Sequence, residues 1–186
     1  MITGGIGSGK STVRALLESK GFLTLDADSL AHEALQSPSV MAEVERIWPR
    51  AIVGGRVDRG KLAAVVFGDP AELRRLEGLI HPLVREKVRR WVESVPPEAD
   101  LALEVSVPKA VDRSGWTLVV VYAPESGRRR RLLDRGMDPE DVDARLAAQP
   151  SDSEWLDLAD LVLVNDDDLG TLEAELCRLL EENEFG

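Results

Sequence analysis

Apolar residues along this chain follow two spacings, one typical of buried strands and the other of helices with one buried face. Short runs rich in Leu and Val end at charged or small residues, as expected for strands that are covered on both faces. Between these runs, apolar residues recur every three or four positions, as on the buried face of a helix. The predicted strands span residues 1–3, 22–25, 101–107, 116–123 and 161–164. Strands that alternate with helices in this way favour an α/β domain with a parallel sheet.

Helical patterns dominate the segment between the second and third strands, residues 29–95. Helices are predicted at residues 29–35, 40–48, 61–67, 71–80 and 83–95, with breaks at Ser37-Pro38-Ser39, Gly54-Gly55 and Gly68-Asp69-Pro70. His81 and Pro82 separate the last two helices, because proline favours the first helical position and leaves the ring of His81 free before it. A His packed at a helix junction and a His that contacts a ligand both remain open. We therefore expect a helical insertion in the α/β domain.

A second helical segment, residues 125–149, is rich in arginine. Its first helix carries Arg128-Arg129-Arg130-Arg131, its second carries Arg145, and Arg135-Gly136-Met137 between them is a candidate hinge. A movable basic hairpin can cover phosphates, exclude water and offset the charge of a phosphoryl-transfer transition state. The alternative is an exposed charged face. Because consecutive residues point in different directions around a helix, at most two of the four arginines can face one ligand.

Residues 4–11 match the phosphate-binding loop (P-loop) pattern Gly-x-x-x-x-Gly-Lys-Ser/Thr. The loop follows a first strand of three residues, where about five are usual. Its glycines let backbone N–H groups approach an anion closely, and the helix predicted after it directs its positive end at the same anion. Lys10 would reach the β- and γ-phosphates, and the Ser11 hydroxyl would bind Mg²⁺. The expected nucleotide contacts are Gly5, Gly7, Ser8, Gly9, Lys10, Ser11 and Thr12.

Two aspartates, Asp26 and Asp28, follow the second strand. In open α/β sheets the ligand lies beyond the carboxyl ends of the strands, so both carboxylates are placed to face a nucleotide site. The alternative for Asp28 is that it caps the helix predicted at residues 29–35, which aspartate does readily. The local pattern leaves both interpretations of Asp28 open.

The overall charge argues against two classes of partner, nucleic acids and anionic membranes. The 186 residues carry a formal net charge of −11, so we expect neither a nucleic-acid binder, which would present a basic surface, nor a binder of anionic membranes. No apolar run is long enough to span a bilayer and no signal peptide precedes the P-loop, so a cytoplasmic protein is expected. One cysteine and two histidines give no metal cage of Cys and His.

As an ordered set, these motifs resemble the dephospho-CoA kinase family. The similar stretches are residues 3–13 with the P-loop, Asp26-Ala27-Asp28, His81-Pro82-Leu83-Val84, Arg135-Gly136-Met137 with Glu140, Arg145 and Gln149, and Ala159-Asp160-Leu161-Val162 with Asn165. They extend over essentially the whole chain, and only the P-loop is specific by itself. The resemblance implies transfer of the γ-phosphoryl group of ATP to the ribose 3′-hydroxyl of dephospho-CoA, the last step of CoA synthesis.

The resemblance also implies a three-layer P-loop kinase fold with a five-stranded parallel sheet, a helical substrate-binding insertion and a lid. Residues 1–28, 96–124 and 150–186 would form the nucleotide-binding core. Residues 29–95 would form the CoA-binding insertion, and residues 125–149 the lid. ATP and Mg²⁺ would be required, dephospho-CoA would be the small-molecule substrate, and we expect a monomer or a weak homo-oligomer.

Roles for individual residues follow from the same resemblance. The implied catalytic residues are Lys10, Asp28 and Arg145, with Asp28 orienting or deprotonating the acceptor hydroxyl. Asp26 would lie beside it, toward the metal. His81 and Pro108 would lie near the substrate, Arg135 would join Arg145 on the phosphates, and Asn165 would lie near the adenine.

Two stretches depart from the family pattern. Pro108-Lys109-Ala110-Val111-Asp112 stands where the family usually has Pro-Leu-Leu-Phe-Glu, and an acidic stretch at residues 151–154 stands where basic residues usually follow Gln149. Losing basic contacts to phosphate would weaken binding, since hydrogen bonds to charged groups are worth about 1.5–3 kcal/mol each. Two alternatives therefore stand beside an active kinase. One is a nucleotide-binding protein with weak or no kinase activity, and the other is a small-molecule kinase with another acceptor.

Overall fold

The computed structural model describes residues 1–166 and 168–183, and they form two compact units. The first unit contains Met1–Leu25, Pro96–Pro108 and the described residues from Arg113 onward, and the second contains Asp26–Val95 and Lys109–Asp112. The strands are β1 (Ile2–Thr3), β2 (Leu23–Asp26), β3 (Ile52–Val53), β4 (Arg56–Val57), β5 (Leu101–Glu104), β6 (Val119–Tyr122) and β7 (Leu161–Val164). The α-helices are α1 (Lys10–Ser19), α2 (Ala27–Leu35), α3 (Pro38–Ile47), α4 (Arg59–Val66), α5 (Pro70–Ser94), α6 (Glu125–Asp134), α7 (Pro139–Ala147), α8 (Asp152–Leu158) and α9 (Leu169–Glu182).

The short strand β1 lies at the centre of a five-stranded sheet with the order β2-β5-β1-β6-β7. It runs parallel to both of its neighbours, and β6 runs parallel to β7. Pairing on both edges compensates for its length: Val105 N donates to Ile2 O at 2.9 Å, and Val119 N donates to Met1 O at 2.8 Å. The predicted five-stranded parallel sheet is confirmed, and so is the short first strand.

Two apolar clusters attach helices to the first unit. The larger cluster joins the sheet to α1 and α9, and its helical members are Val13, Leu17, Leu172, Leu176 and Leu179. The smaller cluster joins α6 to α7 through Leu132, Val142 and Leu146. These residues recur every three or four positions, so they line one face of each helix and bury it together. The clusters hold the P-loop helix and the arginine-rich hairpin within the same unit.

The second unit has a cluster of its own, formed by α2 to α5 and the segment between α3 and α4. Its fully buried members include Val44 and Val66. The antiparallel pair β3–β4 turns at Gly54-Gly55, which was predicted only as a break. A Gly-Gly dipeptide between short apolar stretches is a hairpin signal, so the sequence indicated more at this break than was predicted.

The two helices predicted around His81 and Pro82 are a single helix, α5, which continues from Pro70 to Ser94. A proline inside a helix removes one backbone hydrogen bond and costs about 3 kcal/mol. Packing overrides this cost, because Leu79, Ile80 and Leu83 on both sides of the proline contact the same apolar cluster. The prediction that Pro82 opens a new helix and leaves His81 before it was wrong.

Other differences from prediction lie at the ends of strands and helices. The strands predicted at residues 101–107 and 116–123 are shorter in the structure, as β5 (Leu101–Glu104) and β6 (Val119–Tyr122). The helix predicted at residues 29–35 begins two residues earlier, at Ala27, and α8 occupies a segment that was described only as acidic. Ser151 and Glu154 form a reciprocal capping box at the start of α8, a signature visible in the sequence as Ser-x-x-Glu. No helix in the described ranges is both long and apolar enough to cross a membrane.

Candidate active site

The P-loop connects β1 to α1, so the carboxyl end of the central strand leads directly to the amino end of a helix. Gly9 caps α1 with φ at +104°, in the left-handed region, and a Cβ there would lie 2.2 Å from Asn165 Nδ2. Only glycine fits both the conformation and the contact. The first N–H groups of α1 have no partners within the helix, which suits them to an anion.

The side chains of the loop are arranged around its backbone. Lys10 Nζ donates to Gly4 O at 2.9 Å and to Gly5 O at 3.3 Å, so the ammonium lies over the loop. Ser8 is fully buried, and its Oγ lacks a hydrogen-bond partner among the described residues. Ser11 is exposed at the second position of α1, where its hydroxyl is accessible, and Thr12 is half-buried. A cradle of backbone groups, one ammonium and an accessible hydroxyl is the donor set that a Mg²⁺–triphosphate requires.

Asn165, at the end of β7, holds the loop from one side. Its Nδ2 donates to Ser8 O at 2.6 Å, and the residue is 7% exposed. Arg131 of α6 donates from Nη2 to Asn165 O at 2.7 Å and from Nη1 to Gly7 O at 3.3 Å. Burial, assisted by the nearby Arg130, lowers the pKa of the Arg131 guanidinium. The structure thus places Asn165 against the P-loop, and its proximity to adenine stays a prediction.

The opposite side of the loop contacts two residues that were not predicted as site residues. Gln149 Oε1 accepts a hydrogen bond from Ile6 N at 2.7 Å. The guanidinium of Arg128 lies against Gly5, where a Cβ would be 2.4 Å from its Nη1. Of the arginine run, Arg128 and Arg131 contact the backbone of the loop, and which arginines face a ligand stays a prediction. Gln149 belongs to one of the sequence motifs, but nothing local to it indicated contact with the loop.

The two arginines expected on the phosphates lie on the surface of the α6–α7 hairpin. Arg135 follows the last residue of α6, and Arg145 lies in the last turn of α7; both are exposed. An ion pair between Arg129 and Asp143 links the two helices. Exposed side chains on a hairpin joined by a short loop are free to turn toward a ligand, so their role on the phosphates stays a prediction.

The two aspartates have different positions at the start of α2, in the second unit. Asp26 is the N-cap: its Oδ1 accepts from the backbone N of Asp28 at 2.9 Å and of Ser29 at 3.3 Å, and its Oδ2 accepts from Ser29 Oγ at 2.7 Å. Asp28 is half-buried in the first turn. Of the two interpretations left open for Asp28, capping is wrong, because Asp26 provides the cap.

His81 lies within α5, in a group of charged residues. Burial, followed by the nearby Arg85 and Lys109, lowers the pKa of His81, while Glu77 opposes the shift. Lys109 Nζ pairs with Glu77 Oε1 at 2.8 Å, and Arg85 Nη2 donates to Lys109 O at 2.9 Å. The lysine that replaces an apolar residue of the family pattern therefore has an acidic partner. Pro108 begins a short 3-10 helix, Pro108–Ala110.

The structure divides the predicted site residues between the two units. The P-loop, Pro108, Arg135, Arg145 and Asn165 belong to the first unit, whereas Asp26, Asp28 and His81 belong to the second. Within the described residues, no group of three or more His, Cys, Asp or Glu side chains is arranged to hold a metal ion.

Comparison with known proteins agrees with the geometry of the loop. A model of the CoaE family, described as dephospho-CoA kinase, matches residues 1–170. The chain belongs to the dephospho-CoA kinase family. A dephospho-CoA kinase from Leifsonia xyli is 41% identical over 92% of this chain and 90% of its own length. One from Thermus thermophilus is 41% identical over 97% of this chain and 89% of its own length.

Three solved structures similar to this chain have the same fold. The crystal structure of TT1252 from Thermus thermophilus has a TM-score of 0.81 and 41% identity, covering 97% of this chain and 95% of its own. Dephospho-CoA kinase from Campylobacter jejuni has a TM-score of 0.69 and 25% identity, covering 97% and 94%. A shikimate kinase from Bacteroides thetaiotaomicron, at 16% identity and a TM-score of 0.55, shares the fold. The predicted P-loop kinase fold is confirmed.

The departures from the dephospho-CoA kinase pattern have structural partners in this chain. Asp152 Oδ1 accepts from Arg128 Nη2 at 2.9 Å, and Glu154 caps α8 together with Ser151. Two of the acidic residues after Gln149 are thus used in folding the segment. Whether these replacements weaken the enzyme stays a prediction.

Proposed function

We propose that this chain transfers the γ-phosphoryl group of ATP to the ribose 3′-hydroxyl of dephospho-CoA. The observation that carries the proposal is a fully formed P-loop, with Lys10 over its backbone, in a chain that matches the family model over residues 1–170. The fold by itself does not specify the acceptor, so the acceptor rests on family membership.

The nucleotide half of the reaction is assigned to the P-loop. The N–H groups of the loop and of the first turn of α1 bind the phosphates, and Lys10 moves from the carbonyls of Gly4 and Gly5 to the β- and γ-phosphates. The Ser11 hydroxyl is the protein ligand proposed for Mg²⁺, which neutralises charge on the transferring group when it is bound. Thr12 and the buried Ser8 complete the loop, and Asn165 is proposed to lie close to the adenine.

The acceptor half is assigned to the start of α2. Asp28 accepts a proton from the 3′-hydroxyl, or orients it, as the hydroxyl oxygen attacks the γ-phosphorus. Asp26 caps α2 and so keeps Asp28 in the first helical turn. Because the Asp26 oxygens accept the capping hydrogen bonds, they are less available as ligands for a metal ion. His81 and Pro108 are proposed to border the acceptor. Phosphoryl transfer depends mainly on positioning and charge, and a carboxylate at the attacking oxygen completes these requirements.

The α6–α7 hairpin is proposed to act as the lid over the phosphates. Arg135 and Arg145 would then supply positive charge to the transition state, as basic residues commonly do in phosphoryl transfer. The proposed domains are residues 1–28, 96–124 and 150–186 for the core, 29–95 for substrate and 125–149 for the lid. We also propose a cytoplasmic monomer or weak homo-oligomer.

The reaction is tested by following ADP release with Mg-ATP and dephospho-CoA and by identifying the 3′-phosphorylated product by mass. Lys10→Ala should lower kcat by at least about a hundredfold, because it removes a charge aimed at the transferring group. Lys20→Ala, the loss of an exposed lysine at the far end of α1, is the matched control and should change kcat less than about twofold. ATP binding without CoA formation would contradict the proposed reaction. Turnover of another alcohol, with dephospho-CoA inert, would show a different acceptor.

A further inference from the structure

Arg128 is the buried member of the arginine run at the start of the lid. It is 4% exposed, whereas Arg130 on the same helix is exposed. Its Nε donates to Ala123 O at 3.1 Å, and its Nη2 donates to Asp152 Oδ1 at 2.9 Å. Burying a guanidinium is costly unless it is paired and hydrogen-bonded, and these two contacts meet that condition.

Asp152 fixes the guanidinium from a second direction. Its Oδ2 accepts from the hydroxyl of Tyr122 at 3.3 Å, at the end of β6, while Asp152 itself begins α8. A planar group that is bonded through two of its nitrogens to different elements has little freedom to turn. Three elements of the first unit therefore determine where Arg128 lies.

The remaining nitrogen of Arg128 faces the P-loop. Nη1 lacks a hydrogen-bond partner among the described residues, and it lies so close to Gly5 that a Cβ there would be at 2.4 Å. On the next peptide, Ile6 N donates to Gln149 Oε1 at 2.7 Å. The Gly5–Ile6 backbone is thus held between a side chain from α6 and one that follows α7.

We propose that Arg128, paired with Asp152, is a positioning residue that fixes the P-loop backbone at Gly5 and thereby sets the affinity for ATP. The N–H groups of the loop bind phosphates well only if they already point inward. The guanidinium of Arg128 packs against Gly5 and so restricts rotation of that peptide. Asp152, in the acidic stretch that departs from the family pattern, serves nucleotide binding through this arginine. The proposal rests on ATP binding at the P-loop but not on the identity of the acceptor.

The first experiment measures the dissociation constant of ATP by calorimetry with the full chain, without turnover. Arg128→Gln should raise the Kd of ATP by roughly five- to thirtyfold, because it removes the guanidinium that packs against Gly5 and its ion pair with Asp152. Arg128→Lys should give a smaller increase, since it keeps the charge but loses the planar fork. Arg130→Gln, an exposed arginine on the same helix, is the matched control and should change the Kd less than about twofold.

The second experiment couples Arg128 to Gly5 in a double-mutant cycle. Gly5→Ala places a methyl group against Nη1 in the wild type but meets no guanidinium in Arg128→Gln. The alanine should therefore raise the Kd of ATP at least about threefold less in the Arg128→Gln background. Steady-state kinetics should show a higher KM for ATP with the KM for dephospho-CoA unchanged.

Two results would overturn the proposal. One is a lower melting temperature of Arg128→Gln with an unchanged Kd of ATP, which would make the residue merely structural. The other is additivity in the double-mutant cycle, with Gly5→Ala raising the Kd of ATP by the same factor in the wild type and in Arg128→Gln. Should Arg128→Gln fail to fold, Asp152→Asn and Arg128→Lys give the same test, because each alters the ion pair and leaves Gly5 intact. An inactive wild type that binds ATP would contradict the proposed reaction and leave this measurement valid.

Discussion

Replacing the two aspartates at the start of α2 should separate chemistry from folding. Asp28→Asn removes the carboxylate proposed to act on the acceptor hydroxyl but leaves the helix cap in place. Asp26→Ala removes the cap, whose two oxygens accept three hydrogen bonds from Asp28 and Ser29. We expect the first variant to be folded and nearly inactive, and the second to be destabilised.

The magnitudes follow from these contacts. Loss of an N-cap side chain costs about 0.5–2 kcal/mol, so Asp26→Ala should lower the Tm by roughly 1–8 °C, at about 2–4 °C per kcal/mol for a chain of this size. Asp28→Asn removes a favourable charge near the helix amino end, worth about 0.3–1 kcal/mol, and leaves the Asp26 cap in place. Removal of a general base lowers kcat by about a hundred- to ten-thousandfold.

ADP release gives kcat for each variant, and thermal unfolding gives the Tm. Asp26→Asn is the matched control, because asparagine caps helices as well as aspartate does, so its Tm should stay close to that of the wild type. Retention of more than about a tenth of kcat by Asp28→Asn would refute its assignment as the base. A larger loss of kcat in Asp26→Asn than in Asp28→Asn would show that the roles are reversed.

Three further predictions concern other parts of the two units. Gly9→Ala should abolish measurable ATP binding, because its Cβ would meet Asn165 Nδ2 at 2.2 Å. Gly21→Ala is the control: at φ +97° with open space around it, it should lower the stability of the protein without changing ATP binding. Equal effects of the two variants on ATP binding would contradict this. Burial lowers the pKa of His81, so the unfolded chain takes up the proton more readily than the folded chain. The free energy of unfolding of the wild type, relative to His81→Gln, should therefore fall as the pH drops below about 6.5. Denaturant unfolding measures this difference, and a difference that does not change with pH would contradict the prediction. Lys109→Met should change the free energy of unfolding by less than about 1 kcal/mol, because Lys109 is exposed in its ion pair with Glu77. The same variant should change kcat only slightly. A large rise in kcat would show that Lys109 impairs the enzyme.

Features that depend on neighbours in the sequence were predicted well. The P-loop at residues 4–11 is formed by the local conformation of its glycines and by the helix that follows, and the structure has both. The strand predicted at residues 161–164 is β7 with the same bounds, because its short run of Leu and Val favours a strand even at the edge of the sheet, where only Leu163 is fully buried. The hinge predicted at Arg135-Gly136-Met137 lies between α6, which ends at Asp134, and α7, which begins at Pro139. A glycine and a helix-capping Asp-Pro mark this hinge in the sequence.

Features that depend on distant partners were decided only by the tertiary structure. Pro82 locally predicts a helix start, yet packing on both sides keeps α5 continuous. The sequence did not indicate which of the four consecutive arginines contact the P-loop, and only the folded chain brings Arg128 and Arg131 against its backbone. Gln149 bonds to Ile6 across 143 residues of sequence, a pairing that no local pattern contains. The sequence determined which segments could form the loop and its helix, whereas the folded chain decided which side chains hold it, because those contacts exist only once separate elements pack together.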